Sequence, residues 1–179
     1  IGNDAFYGCS SLAQITIPFS VTTIGSNVFN GIKSLIIMGD IQKITNNMFE
    51  RCSSLTQITI PSSVTSIGEG AFYECSSLTQ ITIPSSVTSI GNGAFYGCSS
   101  LNMFTIIPHE KKQIEYYNDQ LLLYKSNPNN ENYDVLVWAN RKIKAIIIPT
   151  FITRIASGSF EGCSSLTQIT IPSSVTSIG

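Results

Sequence analysis

Leu55-Thr-Gln-Ile-Thr-Ile-Pro-Ser-Ser-Val-Thr-Ser-Ile-Gly-Glu-Gly-Ala-Phe-Tyr-Glu-Cys-Ser-Ser77 recurs almost verbatim from Leu78 to Ser100, a period of 23 residues. Looser copies of the same length run from Leu12 to Ser34 and from Ile143 to Ser165, and partial copies occupy Ile1–Ser11 and Leu166–Gly179. The copy Leu35–Ser54 has 20 residues, and its alignment places the three missing positions between Met38 and Ile41. A fixed period in the twenties with this apolar spacing predicts a solenoid. One such turn cannot bury its own apolar residues, whereas stacked turns share a continuous core.

Within a turn the inward set reads Leu55, Ile58, Ile60, Val64, Ile67, Ala71, Phe72 and Cys75. Ile58 and Ile60 flank Thr59 with the two-residue alternation of a strand. Pro61 is expected to stop that strand, since proline donates no ladder hydrogen bond. Val64 and Ile67 make a second short extended piece. Gly68 and Gly70 permit a turn, and Ala71-Phe72 suits a single helical or 3₁₀ turn. Equivalent strands then pair in parallel from turn to turn. The phenylalanine column, Phe6, Phe29, Phe49, Phe72, Phe95 and Phe160, reads as a buried spine. Each ring contributes roughly 2–3 kcal/mol of burial before entropy.

The pattern L-x-x-I-x-I-P-x-x-V-x-x-I-G-x-x-A-F-x-x-C-x-x resembles the BspA-like, treponemal class of leucine-rich repeats, and the likeness covers about 140 residues. It implies a leucine-rich-repeat solenoid, mainly β, with a parallel sheet, short extended or 3₁₀ segments opposite, and one β-hairpin-like interruption. The commoner leucine-rich pattern has asparagine where Ser63 stands, so an asparagine ladder is not expected. The resemblance further implies a surface or secreted adhesive protein that binds host or matrix proteins.

Cys9, Cys52, Cys75, Cys98 and Cys163 share one repeat position. Disulfides, a metal site and buried thiols compete to explain them. No close Cys-x-x-Cys pair exists, and the odd count leaves one thiol over. Ile32 stands in the cysteine's place in its own repeat, which favours an apolar column of buried thiols. Thirteen Asn residues form no Asn-x-Ser/Thr sequon. Free thiols without sequons fit a reducing compartment, or export outside the endoplasmic reticulum, so a cytoplasmic location competes with the surface.

The repeat fails between Leu101 and Ile143. Residues 109–144 hold six of the ten Lys/Arg, four of the seven Tyr and the one Trp. Tyr116–Lys125 and Tyr133–Asn140 read as two strands, with Leu121–Tyr124 facing Val135–Trp138 across a polar loop at Ser126–Asn132. The division expected is repeats at 1–102, a divergent hairpin-like insert at 103–142 and repeats at 143–179. The family's Tyr-x-x-Asp-x-x-Leu-Tyr core fits Tyr116, Asp119, Leu122 and Leu123-Tyr124 loosely. Tyr, Trp and Arg anchor interfaces more often than other residues. Tyr116, Tyr117, Tyr124, Tyr133 and Trp138 are therefore candidate protein-binding residues, against a plain core role for Trp138 and Tyr124.

A second candidate surface is the outer face of the strands: Gln14/Thr16, Gln57/Thr59, Gln80/Thr82, Met103/Thr105 and Gln168/Thr170. Turns about 4.8 Å apart make these into uncharged ladders, broken at Gly39 and Ile147. Threonine is also simply a good strand residue.

Charged residues are 12% of the chain, 42% are hydrophobic, and the net charge is −1. That balance lacks the basic stripe a nucleic-acid binder needs, and the apolar content argues against disorder. No apolar run approaches the roughly 18 residues of a membrane span, and no signal peptide is visible at Ile1. His109, the one histidine, has no nucleophile tied to it by a motif, and the carboxylates are scattered. Asn129, Asn130, Glu131, Asn132 and Asp134 lack calcium-loop spacing. The expectation is a non-enzymatic protein-interaction module without cofactor or metal, serving adhesion or recognition at a cell surface, with a cytoplasmic scaffold or structural spacer as the alternative. Ends that fall in mid-repeat suggest part of a longer array, with self-association through uncapped turns.

Overall fold

Alternating isoleucines flanked by threonine and glutamine form strands because β-branched side chains suit a pleated surface with one face buried. The computed structural model describes every residue except 13–14, 19, 22, 26, 38–40 and 109–111, so Gln14, Gly39 and His109 lie outside the described residues. No helix occurs among the described residues. The repeats form a succession of coils whose equivalent strands pair in parallel. The first sheet joins β1 (Thr16–Ile17), β2 (Ser34–Ile37), β4 (Gln57–Thr59), β6 (Gln80–Pro84) and β8 (Met103–Ile107). Opposite it, β3 (Lys43–Ile44), β5 (Ser66–Ile67) and β7 (Ser89–Ile90) form a second sheet.

The register follows the repeat. Gln57, Gln80 and Met103 lie side by side, as do Thr59, Thr82 and Thr105. All eight residues of the inward set are buried. Pro61 lies beyond the end of β4, as expected. Pro84, its repeat equivalent, is inside β6, because β8 runs on to Ile107 and pairs opposite it.

One alignment is corrected. Thr16 pairs with Ile36, a step of 20, whereas Leu35 pairs with Ile58 and Ile44 with Ile67, steps of 23. Lys33 O already accepts from Thr56 N, so the three-residue shortening lies between Phe29 and Lys33, not after Met38. The physical reason is that Ile32 fills the core alone there, fully buried, where other turns use both a cysteine and a leucine.

Between the sheets, each turn closes through a corner of i→i−3 hydrogen bonds, such as Tyr73 N to Gly70 O at 2.8 Å and Cys75 N to Phe72 O at 3.2 Å. The corner needs left-handed backbone at two places. The first holds Asp4, Asn27, Asn47, Gly70, Gly93 and Gly158, the residue types that tolerate positive φ. The second holds glycine in four turns, but Arg51 and Glu74 in two. Those two neighbours in the column are joined by Arg51 Nε donating to Glu74 Oε2 at 2.9 Å. Phe6, Phe29, Phe49, Phe72 and Phe95 stack with centroids 5.1–6.2 Å apart. In place of an asparagine ladder, serine hydroxyls bond the turn before: Ser63 to Ile41 O, Ser86 to Val64 O and Ser174 to Ile152 O.

The interruption contains a hairpin as expected, β10 (Leu121–Tyr124) antiparallel to β11 (Val135–Ala139), with Leu122 opposite Trp138. Tyr116–Lys125 is not one strand, however. β9 (Ile114–Tyr117) precedes β10 and pairs with it antiparallel through a turn whose Asn118 and Asp119 have φ of 50° and 54°. Consecutive left-handed residues are the signature of the tight hairpin turn whose twist matches its strands. β11 continues in parallel to β13 (Arg154–Ile155) and β15 (Ser177–Ile178), while β12 (Ala145–Ile147) pairs with β14 (Gln168–Thr170) as a separate two-stranded sheet.

Candidate interaction surface

Trp138, Phe104 and Tyr116 take over from the phenylalanine column at the interruption. Phe95 meets Phe104 edge-on at 5.3 Å, and Phe104 meets Trp138 at 4.9 Å. Trp138 is fully enclosed and Tyr124 nearly so, with Arg154 donating to the Tyr124 hydroxyl. Neither presents a face to solvent, so any part they play in binding is indirect. Tyr116, Tyr117 and Tyr133 are half-buried. The Tyr116 hydroxyl donates to Asp119 O at 2.8 Å and so clips the β9–β10 turn. Tyr117 packs edge-on against Phe151, and Lys125 Nζ lies 5.3 Å from the centre of the Tyr133 ring. Burial raises the hydroxyl pKa of Tyr116, Tyr124 and Tyr133.

On the outer face of the first sheet, Gln57 and Thr59 are exposed, and Gln80 and Thr82 half-exposed. Gln80 donates to the Thr105 hydroxyl at 3.2 Å, so the ladder is partly bonded to itself. The five tyrosine and tryptophan candidates and the four Gln/Thr candidates thus occupy different regions, the former all within 103–142. Apolar residues interrupt the polar ladder beside the insert: Met103 is 48% exposed, Ile107 36% and Ile147 76%.

The sheet itself is broken there. Among the described residues β8 is the last strand of its sheet, and β12 pairs only with β14. Behind β8 opens a cleft of about 500 Å³ lined by Phe104, Ile106, Ile114, Tyr116, Tyr133 and Ser85, with Lys112, Glu115 and Asp119 also on its walls. Sequence reading missed it. Ser85 is the repeat equivalent of exposed Ser62, and the surrounding Pro-Ser-Ser is identical. Among the described residues the longer β8 and Gln113, whose N–H donates to Ser85 O at 3.0 Å, cover it.

Across the insert the flanking turns meet. Gly97 N donates to Glu161 Oε2 at 3.0 Å, and Arg141 lies 3.4 Å from the same oxygen. The Arg141 guanidinium, largely buried, sits 5.4 Å from the centre of the Trp138 ring. Four of the five cysteines follow the column into or near the core: Cys52, Cys75 and Cys98 are buried, Cys163 is half-buried, and Cys9 is exposed. None is in a disulfide. Cys75 and Cys98 donate to Phe49 O and Phe72 O of the preceding turns, at 3.0 and 3.1 Å. Contacts from the Cys52 and Cys98 thiols, with burial, push the Cys75 pKa well up.

The sequence pattern of the family described as BspA type leucine-rich repeat region matches residues 1–120 and 134–179, in six copies. Among solved structures, a leucine-rich cell surface protein from Faecalibacterium prausnitzii A2-165 is 27% identical, with a TM-score of 0.68 over all of this chain and 60% of its own. A leucine-rich repeat protein of T. pallidum is 28% identical, with a TM-score of 0.56 over all of this chain and 65% of its own. The pneumococcal vaccine antigen PcpA shares the fold at 21% identity and a TM-score of 0.63, over 93% of this chain and 47% of its own. The chain thus spans less than two thirds of each of these structures. No functionally curated protein matches it significantly. With the repeat register, the phenylalanine and cysteine columns and six matched copies in agreement, the chain belongs to the BspA-type leucine-rich repeat family.

Proposed function

We propose that this chain is a non-enzymatic protein-recognition module working in adhesion or recognition at a cell surface. The observation that carries the reading is the uncharged sheet face, Gln57/Thr59 and Gln80/Thr82, passing into exposed Met103 and Ile107 at the start of a structured insert and Ile147 just after it. Broad polar surface around a few exposed apolar anchors is the make-up of a protein interface. The surface location is supported by the similar Faecalibacterium protein, which is described as a cell surface protein. We take 1–102 and 143–179 as repeat arrays and 103–142 as the insert between them. Its half-buried Tyr116, Tyr117 and Tyr133 contribute contacts, and Tyr124 and Trp138 hold them in place. A cytoplasmic scaffold is the second reading, favoured by five unpaired thiols.

The test is a paired pull-down from host matrix proteins and from the source cell's lysate. One bait is this chain; in the other, 103–142 is replaced by a consensus repeat. A matrix partner lost with the second bait assigns adhesion to the insert. Equal capture by both assigns binding to the Gln/Thr face. A partner found only in the lysate favours the scaffold.

A further inference from the structure

The break between β8 and β12 leaves a strand edge beside a cleft, and three independent features meet there. The first is backbone. Ser85 N donates to Ile107 O at 2.8 Å, which turns that carbonyl toward β6. By the two-residue alternation of a strand, the main-chain groups of Phe104 and Ile106 face the other edge, where β9 packs close by but no strand is paired among the described residues. The second is buried polarity. Ser85 is 2% exposed and lines the cleft, yet its Oγ has no hydrogen-bond partner. The neighbouring Gln113 Oε1 is in the same state. Buried polar atoms left unpaired are destabilising, and a ligand bearing donors and acceptors would relieve that. The third is the exposed apolar pair Met103 and Ile107 on β8 itself, beside the Gln80/Thr82 face of β6.

Resting on the recognition reading above, we propose that the partner is bound as an extended polypeptide segment added as a strand to the free edge of β8, with one apolar side chain in the cleft behind it. Strand addition uses main-chain hydrogen bonds for affinity and alternate side-chain pockets for selection. Of the residues at the edge, the inward pair Phe104 and Ile106 forms the pocket wall, while the outward pair Met103 and Ile107 meets the alternate side chains. Lys112, Glu115 and Asp119 also line the cleft. Among the described lining residues two carboxylates stand against one lysine, which favours a segment that carries Lys or Arg beside its apolar anchor.

The test pans random dodecapeptides displayed on phage against the whole chain. The best peptide is then measured by fluorescence polarisation. Two N-methylated forms, blocked at alternate amides, distinguish pairing from side-chain adhesion without altering the protein. Strand addition requires that one form lose about tenfold or more in affinity while the other is little changed. Met103→Lys with Ile107→Lys, both at exposed positions, should weaken the parent peptide by about tenfold. Equal binding of the two methylated forms, or no effect of the lysine pair, overturns the proposal. So does enrichment that is equal on a chain with 103–142 replaced. A dimer in sedimentation that the lysine pair converts to monomer also overturns it, and gives the edge to a second copy of the chain. The broader recognition reading falls separately, only if neither bait in the pull-down captures a partner.

Discussion

At single residues, the repeat is held by contacts too close for any side chain. A Cβ on Gly91 would lie 2.4 Å from Glu69 N and 2.6 Å from Gly68 C, backbone that cannot swing aside. Gly91→Ala should cost about 1–3 kcal/mol in urea unfolding, whereas Gly2→Ala, with open space around it, should be neutral. Thiols give a second residue-level prediction. Native protein should react quickly with a thiol reagent at Cys9 and slowly at Cys163, with Cys52, Cys75 and Cys98 reacting only on unfolding. The raised pKa of Cys75 means the folded chain keeps a proton that the unfolded chain releases. Stability is then full below the unfolded thiol pKa of about 8.5 and falls as pH rises above it. A urea midpoint that rose between pH 8 and 10 would contradict this. The cysteine column and glycine positions could both be read from the sequence, because each is a repeated chemical requirement. The burial of Ser85 could not, since its sequence is that of exposed Ser62.

At the scale of elements, the repeat strands and the β10–β11 hairpin were legible from alternation and a polar loop. The turn at Asn118-Asp119 was not seen, though residues tolerant of left-handed backbone were its signal, and one expected strand became two. The joint across the insert was beyond sequence reading, because Gly97 and Glu161 are 64 residues apart. Glu161→Ala removes the acceptor of both Gly97 N and the largely buried Arg141. Partial exposure of Glu161, at 30%, moderates the cost. We expect a loss of about 2 kcal/mol in thermal unfolding, with Glu161→Gln recovering part of it, since the amide oxygen still accepts from Gly97. Equal stability of the alanine variant and the parent would show that the joint is not held there.

For the whole molecule, nearest-neighbour stacking makes stability an approximate sum over turns. Leu55–Ser77 and Leu78–Ser100 are near-copies, so deleting 55–77 joins equivalent backbones and leaves β6, β8, the cleft and the Gly97–Glu161 contact in place. The shortened chain should fold, with a urea m-value lower by about one eighth, in step with the surface buried. Far-ultraviolet circular dichroism should keep its β shape. A collapse of cooperativity on this deletion would mean that the turns are not interchangeable.

By itself the amino-acid sequence determined the period, the inward residues, the parallel stacking and the family, because each is a constraint repeated in every turn and therefore written many times. The tertiary structure alone decided what happens where the repetition stops. It placed the shortening beside Ile32, carried the aromatic spine from Phe95 through Phe104 to Trp138, and opened the sheet between β8 and β12. Those outcomes depend on how residues far apart in the chain share one volume, and no local pattern encodes that.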